Sequence, residues 1–131
     1  MNQNQYGSAI GYLEQILNSK EKYANKPELI STWYSLGEAY YRADQTNNAK
    51  RCFQQVFRLE KLFPDEERST IAKAYWMAGN LDKLSGNNEA AREKLNKAVN
   101  IGKSTGLSKE ELSRIGNPGG ARAETEIESL N

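Results

Sequence analysis

The sequence predicts an all-α protein built from antiparallel helix pairs stacked as repeats, about five helices plus a short C-terminal capping helix. Three observations predict it. Apolar residues recur with the 3.6-residue helical period in five separate stretches. Alternating β-branched runs are absent, and valine occurs only at Val56 and Val99. Residues of similar size also return at one offset. Gly37 and Gly79, Ala49 and Ala91, Phe53 and Leu95, Val56 and Ala98, and Leu59 and Ile101 are each 42 positions apart. An offset in that range marks a stacked repeat.

The first stretch covers residues 6–22, with Ala9, Leu13, Ile16 and Leu17 on one face. The second opens at Pro27, a residue suited to a first helical turn. It carries Ile30, Trp33, Leu36, Gly37 and Tyr40 and fades near Asp44. The third begins at Thr46-Asn47-Asn48, which are capping types. It carries Ala49, Phe53, Val56, Phe57 and Leu59 and ends before Pro64. The fourth opens at Pro64-Asp65-Glu66-Glu67, where acids suit the positive end of the helix dipole. It carries Ile71, Tyr75, Ala78 and Leu81 and breaks at Gly86-Asn87-Asn88. The fifth carries Ala91, Leu95, Ala98 and Ile101 and stops between Gly102 and Gly106. Ser108-Lys109-Glu110-Glu111 is a capping-box pattern that opens a short helix through Ile115. The glycines and proline of residues 116–120 end it. The expected organisation is one helical repeat domain over residues 1–115 and a flexible tail over 116–131. Within the domain, a half repeat spans 6–22, full repeats span 27–63 and 65–104, and a cap spans 108–115.

Within one unit the order is Trp33, Leu36-Gly37, Tyr40, then Ala49, Phe53 and Val56. This resembles the tetratricopeptide repeat, Trp-x2-Leu-Gly-x2-Tyr followed by Ala-x3-Phe. In the second unit Tyr75 stands for the tryptophan, Ala78-Gly79 for Leu-Gly and Asp82 for the tyrosine, while Gly86, Ala91, Leu95 and Ala98 keep the pattern. The 42-residue spacing exceeds the usual 34. It is similar to the long-helix variants of peptide-sensing and kinesin-light-chain-type repeats. Gly37 and Ala49 are expected where the two helices of a pair cross, with Trp33, Tyr40 and Phe53 filling the space around them. Ala9, Leu13 and Ile16 repeat the spacing of Ala49, Phe53 and Val56, so the first helix reads as the second half of a repeat whose first half is missing. Its uncovered edge has three explanations: it is small and tolerated, a second copy covers it, or the chain belongs to a longer array.

Composition narrows the function. The chain has 131 residues, 18 basic and 17 acidic, for a net charge of +1. Nucleic-acid binders carry a basic excess or stripe, so none is expected here. No stretch approaches the roughly 18 apolar residues of a membrane span. The first residues lack the basic start and apolar run of a secretory signal, so a cytoplasmic protein is expected. There is one cysteine, Cys52, and no histidine, which removes the commonest general base and metal ligand. No cofactor, metal site or enzymatic activity is expected, because nothing forms a nucleophile–base pair.

The resemblance implies protein–protein interaction, with a peptide or partner helix held in a concave groove lined by the first helix of each pair. The residues at those places are Ser31, Tyr34, Glu38 and Tyr41 in one unit and Lys73, Trp76, Asn80 and Lys83 in the next. Each set runs in steps of 3, 4 and 3 and so shares a helix face. Exposed aromatics beside lysines suit peptide recognition, and Trp76 stands out because its neighbour Tyr75 takes the core position. The bland alternative makes Tyr34 and Tyr41 filler over a stacking joint. Some relatives clamp a C-terminal carboxylate with lysine, asparagine and arginine spread over three repeats. Only Lys73 and Asn80 match, and Glu38 would repel a carboxylate, so that mode is not expected. Lys50-Arg51, Arg58 and Lys61 read as a solvated face. The alternative function is self-assembly as a homodimer through the uncovered first helix.

Overall fold

A computed structural model describes residues 3–18 and 21–115, with side chains from residue 6 onward in the first helix. Among the described residues there are only helices and turns: α1 (Gln3–Leu17), α2 (Leu29–Arg42), α3 (Thr46–Leu62), α4 (Arg68–Leu84), α5 (Asn88–Thr105) and α6 (Lys109–Ile115). The helices fall into two compact units that divide between Glu67 and Arg68.

In the first unit α2 packs against both α1 and α3. Its core is Ile30, Leu36, Phe53, Val56 and Leu59, each nearly or fully buried. Side chains of this kind stabilise by about 1.5–3 kcal/mol each on burial. A Cβ built on Gly37 would lie 2.7 Å from Cε1 of Phe53. The space that glycine leaves is therefore filled by the Phe53 ring, one of the large residues expected around the crossing.

Three sequence expectations change in this unit. Helix α1 ends at Leu17 rather than near residue 22, and its buried stripe is Tyr6, Ile10 and Leu17 with half-buried Leu13. Ile16 is exposed and Ala9 only half-buried. Helix α2 begins at Leu29, because Pro27 sits in a preceding turn whose carbonyl accepts the Ile30 N–H. Arg58 is not a solvated charge. It donates to Gln55 Oε1 at 2.8 Å, Asn25 Oδ1 at 2.8 Å and the Tyr23 carbonyl at 3.4 Å, tying the loop before α2 to α3. From the other side of that loop, the Lys22 carbonyl accepts the Trp33 Nε1–H at 3.2 Å, and the Tyr23 ring stacks on Trp33 at 5.8 Å.

In the second unit α4 packs along α5, and the short α6 touches both. A Cβ on Gly79 would meet Leu95 Cγ at 2.8 Å, the counterpart of the Gly37–Phe53 contact. The turns also correspond. Gln45 N–H donates to the Tyr40 carbonyl around left-handed Asp44, and Asn87 N–H donates to the Asp82 carbonyl around left-handed Gly86. Helix α4 starts at Arg68, not at Pro64. Glu67 has φ +52°, which breaks the helix, so the acids 65–67 lie in the turn before it. Helix α5 ends at Gly106, whose φ of +80° suits a residue without a side chain, and the Leu107 N–H closes back on the Gly102 carbonyl at 2.8 Å. The N-cap half of the expected capping box is present: Ser108 Oγ accepts the Glu111 N–H at 3.1 Å, and the Glu111 carboxylate accepts from the Ser108 hydroxyl at 3.2 Å. Leu112 then anchors α6, with no exposed surface. The tail assigned to residues 116–131 lies outside the described residues.

Candidate partner-binding surface

On α2, Tyr34, Glu38 and Tyr41 follow one another along one face. Tyr34 is buried, its ring tilted against Phe53 at 6.3 Å, and its hydroxyl donates to Glu38 Oε2 at 3.1 Å. Burial, then the nearby Glu38 charge, hold the Tyr34 phenol well above its ordinary pKa. Glu38 also lies 3.6 Å from the Arg42 guanidinium, one helical turn on. Its charge is thus already engaged by two neighbours on the same helix. Tyr41 is buried, and Ser31 is exposed.

On α4 the four positions form a pattern with a polar, partly exposed residue at each end and buried residues between. Lys73 and Lys83 are partly exposed, whereas Trp76 and Asn80 have no exposed surface. Among the described residues, neither Trp76 Nε1 nor the Oδ1 and Nδ2 atoms of Asn80 has a hydrogen-bond partner. Buried polar atoms without partners are rare, and each costs about 1–3 kcal/mol.

The expectation of exposed aromatics is corrected: Tyr34, Tyr41 and Trp76 are all buried. The physical reason is visible on α4, where Ile71, Ala72 and every residue from Ala74 to Leu81 are buried. A helix buried nearly all round has no free aromatic face. The run of small and apolar residues from 71 to 81 carried that signal, and reading only the Tyr75 stripe missed it. Sequence reasoning also missed the Asp82–Lys94 ion pair between α4 and α5, and the Lys97 ammonium 4.5 Å from the Tyr75 ring centre. Lys94 and Lys97 lie one turn apart on α5, a spacing that fits contact with one neighbouring helix.

The chemistry near Cys52 is unreactive. Burial, and secondarily the Glu14 carboxylate, push its thiol up to about 12, the reverse of what a nucleophile requires. Among the described residues no three side chains of the metal-binding types come together. No described helix is long and apolar enough to cross a membrane.

Paired antiparallel helices that meet at Gly37–Phe53 and Gly79–Leu95, joined by matching turns, define a helical-hairpin repeat protein. The tetratricopeptide repeat family model matches residues 28–104, more than half of the chain, and the protein belongs to that family. No curated protein and no solved structure gives a significant match. Tetratricopeptide repeats mediate protein–protein interaction and are typically non-catalytic.

Proposed function

We propose that this chain is a non-catalytic, cytoplasmic adaptor that holds a peptide or partner helix along the first helices of its repeats. Each unit would offer its own face: Tyr34, Glu38 and Tyr41 of α2 in the first, and Lys73, Trp76, Asn80 and Lys83 of α4 in the second. One observation carries this reading. The Asn80 carboxamide and the Trp76 indole N–H lie one turn apart, fully buried and without hydrogen-bond partners among the described residues. A carboxamide can both donate to and accept from the backbone of a partner segment. On a helix buried nearly all round a segment reaches this pair only if the face opens, and it would then supply the partners that the described residues do not. Lys73 and Lys83 flank the pair and favour a segment carrying acidic groups. The lone cysteine, buried and free, supports the cytoplasmic assignment.

The test compares partners captured from the native cell by the wild-type chain and by a Lys73→Glu, Lys83→Glu variant. Both lysines are partly exposed, so the variant keeps the fold. The proposal expects the principal partners to be lost. An unchanged set of captured proteins would refute it.

A second reading is favoured by a different observation. Tyr12 and Ile16 of α1 are 65% and 44% exposed, one turn apart and beside half-buried Ala9 and Leu13. That apolar edge suits a second copy of the chain. Sedimentation that shows a concentration-dependent dimer, abolished by Ile16→Lys, would support self-assembly. A monomer at high concentration would exclude it.

A further inference from the structure

Within the first unit a cleft of about 440 Å³ opens between α1 and α3, floored by α2. That volume lies within the usual range of ligand sites. It uses none of the residues assigned above. Its floor is apolar and aromatic, made by Trp33, Leu36 and Tyr40. Its walls carry three carboxamides, Gln15 from α1, Asn18 in the turn just after it, and Asn48 from α3. Each carboxamide can donate and accept, the pairing that an extended peptide backbone needs. Asn48 uses one N–H on Gln45, which leaves its oxygen available.

Three charged side chains line the cleft and differ in state: Lys22 lies with its ammonium 5.0 Å from the Tyr23 ring centre, leaving Glu14 and Arg51. Glu14 accepts a hydrogen bond from the Tyr40 hydroxyl. Arg51 is exposed and has no ion-pair or hydrogen-bond partner among the described residues. A second cleft shares Asn48 and Arg51 and runs on to Asp44 at the start of α3. An acidic group therefore finds its partner at Arg51 itself, since Asp44 would repel it farther out. Glu14, in turn, suits a peptide N–H rather than another acid.

We propose that this cleft is a second binding site, for a short extended peptide segment in which a glutamate stands next to a large apolar residue. The apolar side chain lies on Trp33 and Leu36. The glutamate meets Arg51 through a forked, charge-assisted pair, and the carboxamides hold the backbone between them. Affinity comes from the apolar floor, and selection for the acid comes from Arg51.

The Trp33 indole N–H, bonded to the Lys22 carbonyl beside the cleft, is a built-in reporter. The experiment titrates the full-length ¹⁵N-labelled chain with the blocked peptide acetyl-Ala-Glu-Leu-Ala-amide and with its Gln counterpart. The expected result is movement of the Trp33 indole resonance while that of Trp76 stays fixed. The Gln peptide should bind about tenfold more weakly, and Arg51→Gln should erase the difference between the two peptides. Arg51 is exposed, so this variant keeps the fold. Equal response to both peptides, movement at Trp76 instead of Trp33, or no response at millimolar peptide would overturn the proposal. The same shifts from acetyl-Glu-amide alone would also overturn it, because a bare carboxylate would then suffice.

Discussion

Replacing Gly37 by alanine places a methyl group 2.7 Å from one carbon of the Phe53 ring and 3.0 Å from two others. Real Cβ atoms do not approach so closely, so the ring has to move. It has little room, being 1% exposed and packed against Tyr34. Overpacking of this kind costs about 1–3 kcal/mol. Against it stands the gain of about 1 kcal/mol from replacing glycine by alanine within a helix. Gly11, in the middle of α1, isolates the two effects. A Cβ there meets nothing within 4 Å, so Gly11→Ala should keep the propensity gain alone. The same chemical change is thus expected to stabilise at residue 11 by about 0.5–1 kcal/mol and to be neutral or destabilising by up to about 2 kcal/mol at residue 37. Urea unfolding followed by circular dichroism measures both. Adding Phe53→Leu, which installs the residue that faces Gly79, should recover part of the loss in a double-mutant cycle. Equal stabilisation by the two alanine variants would refute the close approach of α2 and α3 at Gly37.

Other consequences follow from particular contacts. Cys52 should resist alkylation in the folded chain at pH 8 and react at an ordinary rate in denaturant. Because burial raises its folded pKa to about 12, above the ordinary thiol value of 9.0, its contribution is fully present below pH 9. That contribution is lost as the pH rises from 9 toward 12, where the unfolded thiol ionises and the folded one does not. A pH series of unfolding midpoints for wild type and Cys52→Ala should therefore diverge only in that window. Arg58→Met should accelerate amide exchange in residues 21–28 and weaken the near-ultraviolet signal of Trp33, with a loss of about 1 kcal/mol or more from three broken hydrogen bonds. Ser108→Ala should fray α6, at a cost of about 0.5–2 kcal/mol, read as faster exchange of the Glu111 and Leu112 amides with α2 and α3 unaffected.

Much of the fold is legible because periodicity and small residues act locally. The spacing of Ile30, Trp33, Leu36 and Tyr40 on one stripe, the Ser108 box and the glycine stop at Gly106 each depend on a few adjacent residues. Helix starts after proline were less legible. Whether Pro27 or Pro64 sits in the first turn or before it depends on backbone angles such as that of Glu67, and acidic types fit both arrangements. Arg58 was opaque for another reason. A long cation on a helix surface is usually solvated, and only the path of the loop from Glu21 to Pro27 brings Asn25 and the Tyr23 carbonyl to it. The candidate surface was legible as positions on a face, not as exposure. Trp76 does point away from the Tyr75 stripe. Even so, a helix with apolar or small residues on nearly every side leaves no side exposed, so facing away from one stripe did not mean facing water.

The most direct test of the interaction role is Asn80→Leu, measured for stability and for partner capture on the same preparation. Leucine keeps the branched outline of the amide but is bulkier, which works against the gain. Removing a buried amide without partners among the described residues is worth about 1–3 kcal/mol, so the folded chain should gain stability by less than that full amount. That gain should come together with loss of the captured partner. A stabilised chain that retains its partner would contradict the interaction role, because the amide would then be a packing fault and not a binding group.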